Sequence, residues 1–321
     1  MRGVIGRVTA PSRQYDSTSS EWSAVQLELV VVGHFSRDLI ITPEFTREAL
    51  GGGVAYAMLA PALGALGAGI VSRVGQDFEQ EYIDVLRASG LDLTGLRTSG
   101  PHTTRCVNKY NKNGKRTQRL EAIAPSLRGE DLLPQHLQAA IVHFCPLSAG
   151  ELHVSVIEAA KMSGALVSLD VQGYLRESRI GPVKTKRWEE RDEVLRFVDV
   201  VKADDVEIMK CSNAKTELAA VTEILELGPR IVAVTRDCRG STIYSRNTQV
   251  DIPAVLPAKL VDSTGAGDTY IIGFMLEFVR CGDVKRAGLF GATCASFNLE
   301  TVGPYGMPDR SQVESRMKAY S

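Results

Sequence analysis

The segment Val261-Asp262-Ser263-Thr264-Gly265-Ala266-Gly267-Asp268 ends a run of turn-forming residues and opens directly into the apolar, helix-compatible stretch 269–281. A glycine-rich turn feeding a helix makes an anion site. Small residues at 265–267 let backbone N–H groups approach one phosphate, and the helix dipole adds partial positive charge. Asp268 then needs an explanation. In the first turn it would favour the dipole; beside an anion cradle it is also placed to take a proton from an attacking hydroxyl.

Working outward, the chain alternates short apolar strands with helical stretches. Residues 27–32 form a β-rich run ending at Gly33, 54–66 are small and helical, 70–74 are a strand ending at Gly75, and 79–89 an amphipathic helix closed by Gly90. Strands 140–144, 165–170, 198–202 and 231–235 repeat the pattern with helices 152–162 and 216–227. This predicts an α/β fold, a doubly wound, mostly parallel sheet with helices on both faces. Segments 38–50 and 102–121 break the rhythm. They read as extended, the second a hairpin of 105–110 and 115–120 turning at Asn111-Lys112-Asn113-Gly114, and together predict a small β lid at one edge. Residues 1–24, rich in Ser, Thr and Arg, predict a disordered tail, and 25–321 a single domain. Asp16 and Glu21, with no amphipathic stripe, argue against a transit peptide.

Composition sets outer bounds. The 321 residues are 44% hydrophobic, with net charge −1 and mean hydropathy near zero. This removes the electrostatic case for nucleic acid or an anionic membrane surface, and no apolar run approaches a membrane span of roughly 20 residues. Six scattered cysteines without a C-x-x-C pair argue against structural zinc and a disulfide framework, and predict a cytoplasmic setting. Neither G-x-x-x-x-G-K-[ST] nor a G-x-G-x-x-G after the first strand is present, which disfavours P-loop and dinucleotide folds.

The eight residues at 261–268 resemble the D-[ST]-T-G-A-G-D signature of the ribokinase-like, or PfkB, carbohydrate kinases, and the resemblance extends over 27–308. It implies ATP-dependent transfer of a phosphoryl group to a sugar or polyol hydroxyl, with Asp268 as general base and the N–H groups of Gly265, Ala266 and Gly267 as the anion hole. Asp38, five residues after Gly33, matches the aspartate that holds substrate hydroxyls, and Gly51-Gly52-Gly53 the substrate-side glycine motif. Tyr56 stands where ribokinase has asparagine. Val74-Gly75-Gln76-Asp77 matches V-G-x-D, a structural loop; His34 reads as an ordinary loop residue. Asp170-Val171-Gln172-Gly173-Tyr174-Leu175-Arg176 is similar to the D-x-Q-G-[YF]-x-R of inositol-kinase-like members, so Tyr56, Gln172 and Arg176 point to myo-inositol or a similar polyol.

On the donor side, Asp204-Asp205-Val206-Glu207 resembles N-x-x-E, with Asp204 departing and Glu207 implied to organise Mg2+ through water. Asp204 and Asp205 are also adequate as a helix start. Thr235 and Gly240 match the nucleotide loop T-x-G-x-x-G, where Asp237 replaces the first glycine; Thr264 and Asn298 are the remaining nucleotide residues, and Asp262 is the candidate for a monovalent cation such as K+. Lid edges expose unpaired backbone, so a homodimer through the lid is expected. Two rivals stand beside this reading: a nucleoside kinase of the same fold, and a non-catalytic sugar sensor whose output is lid closure.

Overall fold

The computed structural model describes residues 27–112 and 116–320; the expected tail, 1–24, and the Asn113-Gly114 tip of the expected turn lie outside them. Among the described residues there are two sheets. The strands in chain order are β1 (Leu29–Val32), β2 (Ser36–Ile41), β3 (Thr46–Gly51), β4 (Ala68–Val74), β5 (Asp92–Thr98), β6 (Thr104–Tyr110), β7 (Arg116–Ala122), β8 (Ile141–Phe144), β9 (Leu166–Asp170), β10 (Gly181–Pro182), β11 (Val200–Asp204), β12 (Ile231–Thr235), β13 (Ser241–Tyr244) and β14 (Gln249–Ile252). The helices are α1 (Leu59–Ala62), α2 (Gln80–Ala88), α3 (Val154–Met162), α4 (Arg191–Leu195), α5 (Asp205–Lys210), α6 (Glu217–Glu226), α7 (Ala266–Cys281), α8 (Val284–Asn298) and α9 (Arg310–Met317).

The large sheet has nine strands in the order β14-β13-β12-β11-β9-β8-β1-β4-β5. From β12 to β5 neighbours run parallel, and β13 and β14 close one edge antiparallel. Its central strands are unbroken apolar runs because both faces are covered. Leu29 and Val31 face the core built with α7 and α8, while Val30 and Val32 face the core built with α3 and α6. The expected doubly wound architecture is therefore the observed one. No helix among the described residues is long and apolar enough to cross a membrane.

The second sheet, β10-β7-β6-β2-β3, is rooted at the carboxyl ends of β1 and β5, from which β2 and β6 continue. Residues 38–50 form the β2–β3 hairpin and 105–120 the antiparallel β6–β7 pair, with β2 and β6 parallel. Asp77 anchors one root, accepting from Thr103 N–H at 2.7 Å and pairing with Arg37 at 3.3 Å.

Some elements differ from expectation. Residues 54–66 are a 3-10 turn, Gly53–Met58, followed by the single turn of α1. Pro61 is tolerated there because the first turn needs no N–H from it, and Gly64, left-handed at φ 73°, follows the stop at Leu63. Strands β5, β13 and β14 carry no continuous apolar run; pairing along the sheet edge makes them strands.

Candidate active site

The loop before α7 is built around one carbonyl. Thr264 O accepts from Tyr56 Oη at 3.1 Å and from Asn298 Nδ2 at 2.8 Å. Asp262 Oδ1 accepts from Thr264 N–H at 3.0 Å and Thr264 Oγ1 at 2.9 Å, a local turn that aspartate favours. Gly265 is left-handed at φ 79°, and a β-carbon there would lie 1.8 Å from the Tyr56 ring, so only glycine fits. No side chain caps α7, which leaves the N–H groups at the head of a 16-residue helix turned outward with the positive end of its dipole. Tyr56 and Asn298, expected on substrate and nucleotide, thus both serve as props for this loop.

Beneath the loop lies a buried charge cluster. Polar residues His143, Ser168, Asp170 and Lys202 alternate along β8, β9 and β11 with apolar residues of the α3–α6 core, so they share the face that α7 covers. Lys202 Nζ and Asp170 Oδ2 pair at 2.9 Å, each group about 5% exposed. A β-carbon at 267 would lie 2.7 Å from Lys202 Nζ, which puts the ammonium directly under the anion cradle. Burial alone would strip the Lys202 proton, but Asp170, Glu207 and Asp268 hold it charged and above its usual range.

Asp268 itself points toward Gly53 and Cys145: a β-carbon at 53 would meet Asp268 Oδ1 at 2.4 Å and Cys145 Cβ at 2.8 Å. Desolvation, then repulsion from Asp170, pushes its carboxyl up to about 7, while Lys202 and Arg176 pull the other way. A carboxyl titrating near neutrality matches the requirement for a general base. The same desolvation, with Asp268 next in weight, drives the Cys145 thiol well above its ordinary range and keeps it a neutral wall.

Asp38 faces this centre from the second sheet. Ser36 Oγ donates to Asp38 Oδ1 at 2.7 Å and Asn108 Nδ2 to Oδ2 at 3.1 Å. A β-carbon at Gly51 would lie 2.6 Å from both the Asp38 carboxylate and Ser36 Oγ, and Gly52 takes φ 89°. The Tyr56 phenol, raised by burial first, is raised further by Asp268, Asp262, Asp38 and Tyr110. One buried ring therefore senses carboxylates from both the large sheet's side and the second sheet. His34 is not an ordinary loop residue: it is fully buried, its N–H donating to Glu151 Oε1 at 2.7 Å and its ring nitrogens meeting Thr104 Oγ1 at 3.1 Å and Pro125 O at 3.0 Å. That knot ties the root of the second sheet to the large one.

On the other side of the cradle, Asp204 caps α5, accepting from Val206 and Glu207 N–H, while Glu207 Oε2 accepts from Asp204 N–H at 2.9 Å. The two acids form a capping box. The Gln172 amide, expected on the substrate, donates to Glu207 Oε1 at 3.2 Å. Burial, then Asp170 and Asp204 against the pull of Lys202, raises the Glu207 carboxyl. Thr235 Oγ1 donates to Ala203 O at 3.4 Å, and Arg236 N–H closes the following loop on Gly240 O at 2.8 Å. Asp237 adopts φ 46°, the left-handed backbone that a glycine takes readily, so the loop keeps its turn despite the substitution. Gly240, at φ 83°, passes 2.2 Å from Ile252 O at its β-carbon position. Arg239 pairs with Asp205 across this loop.

Sequence reasoning missed Ser36, Asn108, Cys145, Glu151 and Lys202 as members of the constellation. A lysine or aspartate at the end of an apolar, doubly covered strand is the signal that could have found Lys202 and its partner Asp170, since such groups stay charged there only when paired.

An uncapped helix head, a carboxyl tuned to neutrality and the Asp38 carboxylate on the second sheet are the equipment of a phosphotransferase acting on hydroxyls. Residues 16–310 match the pfkB family carbohydrate kinase, and the chain belongs to that family. It is 27% identical over 285 residues to the cytidine kinase of Thermococcus kodakarensis, covering 88% of this chain and 99% of that one. The structure of Arabidopsis thaliana ribokinase complexed with ribose and ATP superposes with a TM-score of 0.77 at 23% identity, over 91% of this chain and 99% of that one. A pyrophosphate-dependent kinase of the ribokinase family, complexed with a pyrophosphate analog and myo-inositol, gives 0.76 at 23% identity, over 89% and 99%.

Proposed function

We propose that this kinase transfers the γ-phosphoryl group of ATP to a hydroxyl of a small sugar or polyol, myo-inositol or a similar compound, with Asp268 as general base. The observation that carries the reading is the position of Asp268. It sits in the first turn of α7, titrating near neutrality, between the uncapped N–H groups and the space bordered by Gly53 and Cys145. In the proposed step Asp268 takes the acceptor's proton, the hydroxyl oxygen bonds to phosphorus, and the bond to the ADP oxygen breaks. The N–H groups of Gly265, Ala266 and Gly267 stabilise the charge that develops, and positioning carries most of the acceleration.

Asp38, with Gly51 leaving room beside it and Gly53 leaving room beside Asp268, holds neighbouring hydroxyls of the acceptor. Arg176, whose charge already acts on Asp268, lies on the same side. Thr235 and Gly240 border the nucleotide. The second sheet closes as a lid and excludes water, and pairing of lid edges would join two copies. Among the described residues no group of three or more His, Cys, Asp or Glu side chains could hold a metal alone. Glu207 fits a magnesium ion held mainly by phosphates and water, because each of its oxygens accepts a single hydrogen bond and keeps a further lone pair. Such an ion would neutralise phosphate charge. Asp262 and the orphaned, buried Oδ1 of Asn298 are oxygens of the kind a K+ ion takes. A cytoplasmic setting is proposed with it, since the six cysteines are scattered through the chain without a C-x-x-C pair.

A nucleoside kinase is the second reading, supported by the similarity to cytidine kinase. A panel of inositols, sugars and nucleosides assayed for ADP release separates the two. Turnover of nucleosides alone would overturn the polyol assignment, and no turnover of any acceptor would overturn the kinase reading itself.

A further inference from the structure

Two carboxylates and one ammonium meet beneath the head of α7. Lys202 Nζ pairs with Asp170 Oδ2 at 2.9 Å, both side chains almost wholly buried. Asp170 is held in place from its other oxygen, since Oδ1 accepts from Gln172 N–H at 2.9 Å. Gly267 opens the space above the pair. Unlike Gly265 it has no left-handed backbone to demand glycine; a β-carbon there would instead lie 2.7 Å from Lys202 Nζ and 3.1 Å from its Cε, and would push the ammonium aside. The ammonium therefore ends against the residue that precedes Asp268 and is already engaged by Asp170.

The balance of charge follows from this placement. Around Asp268 stand Asp170 on β9, Lys202 on β11 and Arg176 after β9, with Glu207 of α5 beyond Lys202; Tyr56, Cys145 and His143 border the cluster uncharged, and Asp38 acts on Tyr56 from the second sheet. A buried carboxylate paired directly with an ammonium holds its negative charge too firmly to serve as a strong base, and one with no cation nearby stays protonated. A lysine shared with a second carboxylate gives the state between the two.

We infer that Asp170 and Lys202 are positioning residues for the base: Asp170 keeps the Lys202 ammonium from closing onto Asp268, and the ammonium, held under Gly267, keeps Asp268 ionisable. The inference rests on Asp268 being the base proposed above. Both residues act through Asp268, and neither has to touch a substrate.

The test is the pH profile of kcat/KM at saturating ATP, from about pH 5 to about pH 9.5, with whichever of myo-inositol, D-ribose and cytidine wild type uses best. Wild type, Asp170→Asn, Lys202→Met and the double variant are compared, with melting curves to confirm folding. Donor and acceptor titrate identically in every variant, so a displaced acidic limb belongs to the protein. Asparagine at 170 still accepts from Gln172 N–H but offers Lys202 no negative charge, and the ammonium passes to Asp268. The limb should move down by about one to two pH units, and the plateau should fall about 3- to 10-fold because a weaker base remains. Methionine at 202 leaves Asp170 and Asp268 facing each other without it. That limb should move up by about one to two units, so that the rate at pH 7 drops about 5- to 50-fold and returns at higher pH. The double variant loses one charge of each sign, and its limb should fall between those of the single variants. An unmoved limb in a folded single variant, whatever its melting temperature, marks a merely structural ion pair and overturns the inference, as do two limbs displaced in the same direction. Either single variant that folds decides by the direction of its limb. A wild type without an acidic limb, or near-normal turnover in Asp268→Asn, removes the base itself, which is a distinguishable outcome.

Discussion

Asp268→Asn separates the two duties open to this residue, because they move stability and turnover differently. In the folded chain the carboxyl is raised from an ordinary 3.8 to about 7 by burial and by Asp170. An acid raised in this way binds more protons folded than unfolded between roughly pH 4 and 7. Unfolding free energy therefore falls as pH climbs through that window, and the loss persists above it. At about 1.36 kcal/mol per pH unit, an elevation of roughly three units bounds the cost of the ionised form at about 4 kcal/mol. Partial exposure of the side chain screens this, so about 1–3 kcal/mol is the working expectation. Asparagine keeps the shape and carries no charge. The variant should match wild type near pH 4 and exceed it by that amount at pH 8, while kcat falls by about 10²- to 10⁴-fold because no proton is taken. Urea unfolding at both pH values and ADP release on the same preparation read the two quantities. Wild-type kcat/KM should rise with pH and level off above about 7. A variant that lost about 0.3–1 kcal/mol at pH 8 and kept its turnover would assign Asp268 to the helix dipole and refute the general-base argument.

Three further outcomes are expected. Asp38→Ala removes a charged acceptor and should weaken acceptor binding by about 1.5–3 kcal/mol, read as KM at saturating ATP; an unchanged KM removes Asp38 from the site. Glu207→Gln should raise the magnesium concentration giving half-maximal rate while leaving the melting temperature nearly constant, since glutamine also completes a capping box. A stability loss with unaltered magnesium dependence would leave Glu207 only its role at the start of α5. Tyr56→Phe deletes one of two donors to Thr264 O and should cost about 0.5–1.5 kcal/mol with a lower kcat; if melting and kcat both stay unchanged, the phenol does not prop the loop.

The parallel sheet was legible in the chain because its strands are continuous runs such as Leu29-Val30-Val31-Val32 and Ile231-Val232-Ala233-Val234, and burial on both faces leaves that mark. Strands β13 and β14 left none: Ser241-Thr242-Ile243-Tyr244 is buried but polar at its start, the edge strand β14 is largely exposed, and their pairing partners alone define them. The turn at 261–268 could likewise be read, because Gly265 must be glycine for local reasons, its φ of 79°, before any tertiary contact is considered. Local sequence thus determined the fold class, the helix head and the acid beside it. Which side chains surround that acid was decided only by the tertiary structure. Asp170, Lys202, Cys145 and Gly53 come from three strand ends and a turn far apart in the chain, and parallel register brings them under α7. Tyr56 and Asn298 show the limit most plainly: each looked like a ligand contact by position, yet folding brings both to the Thr264 carbonyl. A side chain's chemistry is written in the sequence, but its partner is whatever the close-packed interior brings within hydrogen-bond reach, and for residues more than 200 positions apart only three-dimensional packing supplies that information.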